Sequence, residues 1–204
     1  MRHVTTTVPL LGIPVLGGLL LGLFAPSLAA AQVAMGGNPV PGVCMLSQQA
    51  VLTNAKVGLA ATARLQTLAQ QAQAELTADK APIEADAKAL DAQRATLKPA
   101  ELQQKQRALA ARAQALQQKA NLRQREIEAT REKALARISA DAQPVIQAVY
   151  KSRDCGLLVD RGTVLGGNMA NDLTPAVVTG LDAKITTITF DRENLSAPAA
   201  APAH

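Results

Sequence analysis

Bulky apolar residues recur at seven-residue intervals along the middle of this chain. Ala69, Leu76, Ile83, Leu90 and Leu97 fall in step. Beyond them Leu102, Leu109, Ala113, Leu116, Ala120 and Ile127 alternate by threes and fours, and Gln106 and Arg123 fill the remaining positions of that stripe. The residues between are mostly Ala, Gln, Lys, Arg and Glu, which favour helix. A period near 3.5 keeps one narrow stripe facing a partner helix. Such a helix is not stable alone in water, so the pattern demands a partner. Lys98-Pro99 is the one clear interruption, because the proline ring disfavours helix at Lys98 and suits the first turn of a new helix. Folding the chain at Pro99-Ala100 sets Leu97 opposite Leu102, Leu90 opposite Leu109, and Ile83 opposite Leu116. A fourth rung places Leu76 near Arg123, with Leu122 beside it. The pattern therefore predicts an antiparallel helical hairpin over about 47–153 with its tip near 98–100. A first arm from Ser47 to Leu97 would be about 75 Å long.

Pro82 and Pro144 lie inside the two arms. Each removes a helix hydrogen bond, so a kink or local break is expected near Asp79–Pro82 and another disturbance at Pro144. They are the candidate hinges, tolerated kinks being the alternative. Asn54 and Gly58 predict a looser turn early in the first arm.

The flanks read differently. Val43-Cys44-Met45-Leu46 is a short strand, and Ser47 after it can cap a helix. Cys155 to Asp160 is a second strand. Thr163-Val164-Leu165 is a candidate third, with Gly166-Gly167-Asn168 as a turn. Asp172 or Thr174 caps a short helix whose apolar face holds Val177, Val178 and Leu181. Ile185 to Phe190 is a last strand or an extended tail. The fold class is α+β, mostly α: a long coiled-coil hairpin on a small β-strand base.

The two ends carry other signals. A basic start, Met1-Arg2-His3, precedes the apolar run Val8–Phe24 and the small residues Ala29-x-Ala31. This is a secretory signal peptide over 1–31, cleaved after Ala31, with an uncleaved anchor as the alternative. Residues 32–41, with Gly36-Gly37-Asn38-Pro39, read as a flexible leader. Residues 191–204 read as a disordered tail.

Composition narrows the function. Hydrophobic residues make up 48% of the 204, but Trp is absent, Tyr occurs once and Phe twice, which argues against a thick core. The net charge of +5 favours acidic partners. The cations are interleaved with acids and no stacking aromatics accompany them, so nucleic acid is not an expected partner. His3 and His204 are the only histidines, which leaves the mature core without a His-based triad or His metal site. No catalytic, cofactor or metal site is read from the chain.

The two cysteines, Cys44 and Cys155, flank the hairpin. In an exported chain such a pair suggests a disulfide clasping the hairpin at its root. Closing a loop of about 110 residues would contribute up to roughly 4.7 kcal/mol on a chain-entropy argument. Two buried free thiols are the alternative.

The order strand, helical hairpin, strand, turn, short helix resembles the Skp/OmpH family of periplasmic chaperones. The resemblance rests on Val43 to Leu52, on Gly156 to Leu165, and on Asp172-Leu173-Thr174, and it spans about residues 42–190. Ser47 stands where the family often has Asp, and the cysteines and Pro82 depart from its pattern. The resemblance implies a homotrimer in the periplasm, with strands of three subunits forming a β body and three hairpins enclosing a cavity. It implies an ATP-independent holdase for unfolded outer-membrane proteins. Lys98, Lys105, Arg107 and Arg112 near the tip are candidate electrostatic contacts to acidic clients or anionic lipid headgroups. A structural adaptor of the cell envelope is the rival reading, though such proteins usually flank the hairpin with larger β domains.

Overall fold

The computed structural model describes residues 36–195. The expected signal segment, the start of the leader and residues 196–204 lie outside the described residues. The chain runs β1 (Val43–Leu46), α1 (Gln48–Asn54), α2 (Lys56–Gln93), α3 (Pro99–Ser152), β2 (Leu157–Asp160) and α4 (Thr174–Lys184), with single 3-10 turns at Arg161–Thr163 and Met169–Asn171. β1 and β2 pair in parallel, Val43 opposite Leu157 and Leu46 opposite Asp160. Parallel neighbours need a long crossover, and here that crossover is the whole helical hairpin.

Ser47 starts α1 as expected. Its hydroxyl accepts the Ala50 N–H at 3.1 Å, while its own N–H donates to Thr174 Oγ1 at 2.9 Å. One residue thus ties the starts of α1 and α4. Ala55 then turns extended, with φ −68° and ψ 145°, and separates α1 from α2. Gly58 makes this break possible. A Cβ there would stand 1.6 Å from the Leu52 carbonyl oxygen, so only glycine lets the start of α2 approach the end of α1 so closely.

The expected break near Asp79–Pro82 is not formed. α2 runs unbroken through Pro82, as α3 does through Pro144. Each proline leaves one carbonyl without its helix donor, at Ala78 and at Ala140. The tertiary contacts on both sides hold the helix together: Asp79 is bonded across to Lys119, and Ile146 is buried beyond Pro144. With 38 and 54 residues, α2 and α3 are about 57 and 81 Å long. At the tip Lys98 is extended (φ −65°, ψ 146°) and Pro99 opens α3, as the proline chemistry requires.

The core sits at the root of the hairpin. Val51 and Val57 of the first arm, Ile138 of the second, and Val177 and Leu181 of α4 are buried together. α4 lies so close to α3 that a Cβ on Gly180 would come within 2.7 Å of Val145. Cys44 and Cys155 are joined, with Cα atoms 5.8 Å apart, and fasten β1 to the segment leaving α3.

Three flanking expectations are corrected. Thr163–Leu165 is not a strand. The Asp160 carboxylate accepts the Gly162 N–H at 2.7 Å and bends the chain into a 3-10 turn, and Leu165 is left 99% exposed. The leader is not loose over its last residues: Asn168 bonds the Gly37 carbonyl, and Asn171 both donates to the Val40 carbonyl and accepts the Val40 N–H. Residues 185–190 take the extended, not the strand, alternative. Asp191 to Leu195, expected as disordered tail, continue this extended segment back along the hairpin, held by ion pairs and main-chain bonds.

Candidate functional site

The two arms are the feature that distinguishes this molecule, and polar contacts fix their register. Gln93 and Lys105 lie six residues either side of Pro99, Asp86 and Arg112 thirteen, Asp79 and Lys119 twenty, and Glu75 and Arg123 twenty-four. All four pairs are bonded across the hairpin. The first three recur every seven residues, so this ladder shares the heptad of the leucine stripe and flanks it. The acids stand on α2 and the cations on α3 at every charged rung.

The six distal rung residues, Ile83, Leu90 and Leu97 with Leu102, Leu109 and Leu116, are half-buried in the register the sequence predicts. Leu90 and Leu109 line one crevice of about 280 Å³ with Asp86 and Arg112. Two thin helices cannot cover such a seam from both sides. Ala113 and Gln106, expected on the stripe, are exposed.

The stripe changes nearer the root. Ala69 is exposed, and Leu68 and Ala72 are buried in its place. On α3 the buried positions are Glu126, Thr130, Ala134, Ile138, Ala142 and Ile146, each four residues from the last. A four-residue step overshoots one helix turn by about 40°, so this stripe winds around α3. It winds because α2, the extended segment 185–195, α1 and α4 cover α3 in succession.

Where the two stripes meet, four charges form a closed cluster. Glu126, 1% exposed, accepts from Arg123 at 2.7 Å and from Arg192 at 3.3 Å. Glu75 accepts from the same two arginines, at 2.9 Å from Arg123 and 3.1 Å from Arg192. Arg192 beside it holds the Glu75 carboxyl below its ordinary value; partial desolvation opposes this and Arg123 adds to it. The bond to Glu126 pushes the Arg123 guanidinium up. Two acids and two bases cancel, which is how a carboxylate as buried as Glu126 is accommodated. Arg123, a cation on an apolar stripe, was the sequence signal for this cluster. Glu126 and Arg192 carried none, because Arg192 lies on a segment with no helical period.

The candidate client contacts divide. Lys105 is bonded to Gln93 at 3.1 Å and Arg112 is paired with Asp86, so both hold the hairpin. Lys98 and Arg107 are exposed and form no ion pair among the described residues. Pro82 lies in the half-covered distal arm. Pro144 lies in the root, beside Val145 and Ile146.

A sequence model of the OmpH family, described as outer membrane protein (OmpH-like), matches residues 42–181. The chain is also similar to a crystal structure from Caulobacter crescentus CB15, described as a candidate OmpH-like outer membrane chaperone, at 45% identity and a TM-score of 0.74 over 78% of this chain and 95% of that one. No curated protein matches the chain. The strand-flanked hairpin, the parallel β1–β2 pair and these matches together place the chain in the OmpH family.

Proposed function

We propose that the protein is a periplasmic chaperone that holds unfolded outer-membrane proteins soluble without nucleotide, working as a homotrimer. The observation that carries this reading is the contrast between a closed root and an arm that cannot close its own seam. From Ile83 to Leu116 the leucines are only half covered, and Ala-rich helix faces surround them. Small and sparse apolar groups favour many weak contacts with an unfolded chain over one tight pocket. The base supports assembly with further copies. β2 has no second neighbour among the described residues, and Leu157, Leu165 and Met169 around it are 54%, 99% and 49% exposed. Burying that edge between subunits satisfies its backbone groups and covers the apolar side chains.

Lys98 and Arg107 are the cations positioned to meet acidic clients or anionic headgroups, since Lys105 and Arg112 are engaged within the hairpin. The direct test is aggregation of a urea-unfolded outer-membrane protein on dilution, followed by light scattering. At low micromolar concentration the mature protein should suppress scattering with no nucleotide present. Unchanged scattering would overturn the reading.

A further inference from the structure

We propose that residues 185–195 form a clamp that fixes where the hairpin can flex. The clamp holds the arms together up to the level of Glu75 and Arg123 and leaves them to bend beyond it, at Pro82. The segment lies past the end of the family match at residue 181. It crosses both arms. Arg64 of α2 pairs with Asp191 at 2.8 Å and donates to the Phe190 carbonyl at 3.1 Å. On α3, Lys133 pairs with Glu193 at 2.8 Å and the Thr130 hydroxyl accepts the Glu193 N–H at 2.9 Å. Arg192 touches both arms, bonding Glu75 on one and Glu126 on the other. Ile188 of the segment is itself buried, so the segment is anchored by packing as well as charge.

Burial supports the same boundary independently. Towards the tip, the last buried residue on α2 is Ala72 and on α3 is Glu126. Beyond that level only the thin seam remains. Pro82 is the first position past it where a helix hydrogen bond is missing. Local opening follows scarce burial, so the flexing part begins where the clamp ends.

Hydrogen exchange on the full-length, client-free protein tests this, and its result does not depend on the chaperone reading. Arg192→Ala should speed exchange in residues 64–76 and 123–134 by about tenfold, while the distal 83–116 and the root around Ile138 keep their rates. Unchanged exchange in 64–76 and 123–134, or equal acceleration at the root, would overturn the proposal. Arg64→Ala removes one anchor of the clamp without touching the buried Glu126. It should produce a smaller change in the same direction over 64–76, confined to the level of the clamp, and no change there would also overturn it.

Discussion

Arg123 of the second arm meets Glu75 of the first at 2.9 Å, at the level where the hairpin changes from a covered stem to an open arm. The same guanidinium serves the buried Glu126 at 2.7 Å. One residue therefore joins the arms and neutralises charge at the boundary.

Removing that residue leaves Glu126 with Arg192 at 3.3 Å as its remaining ion-pair partner. Losing one partner of a buried charge is strongly unfavourable, so Arg123→Ala should lower stability by about 3 kcal/mol. Urea unfolding followed by far-ultraviolet circular dichroism reads this. A change below half of that value would mean that water or a shifted side chain replaces the arginine.

Acid should loosen the same cluster. The Glu75 carboxyl titrates lower in the fold than in the unfolded chain, chiefly because Arg192 bonds it. As pH falls, the unfolded chain takes up this proton first. The contribution is thus complete above the ordinary carboxylate value and is lost as pH drops through the lower, folded value. Glu75→Gln should be less stable than the parent at neutral pH. The gap should narrow as pH falls through the acid range, and a gap independent of pH would contradict the assignment.

The disulfide closes a loop spanning 111 residues. Cys44→Ala with Cys155→Ala should lose stability by up to about 4.7 kcal/mol, the chain-entropy limit for a loop of this size. Comparing urea midpoints of the parent, with and without reductant, against the double variant checks it. The reduced parent should approach the double variant.

Gly58→Ala places a Cβ against the Leu52 carbonyl, at a separation the backbone cannot accept. The α1–α2 junction must shift, at about 1–3 kcal/mol. Thermal unfolding should show the loss.

The hairpin was legible because its period and its proline act locally. Leu97 and Leu102 flank a turn that Pro99 enforces, and seven-residue spacing carries the register outwards to Ile83 and Leu116. Ser47 was legible for the same reason, since a cap bonds its own first turn, and the cysteines were legible because two cysteines in an exported chain leave one possible pairing. The stem was not. The four-residue stripe from Glu126 to Ile146 reflects elements that wrap α3 from distant parts of the chain, and no period in α3 alone names them. The packing of residues 185–195 was missed because an extended segment buries Ile188 and half-buries Arg192 without any repeat, and its composition resembles that of a loose tail. Thr163–Leu165 misled in the opposite direction. Its β-branched residues suggest a strand, but Asp160 captures the Gly162 N–H and turns the chain first.

Cation chemistry at the tip can be separated from the apolar arm. Lys98→Ala with Arg107→Ala should weaken binding of an acidic client severalfold at low salt and have little effect at high salt, where screening already removes the attraction. Fluorescence titration across a salt series reads it. Equal weakening at all salt concentrations would point to lost packing instead.

In the proposed homotrimer three copies share a base and enclose one client between their arms. Native mass spectrometry of the mature protein, alone and with one unfolded outer-membrane protein, tests it most directly. The expected species are a trimer alone and a complex of three copies with one client. A monomer that captures no client would contradict it.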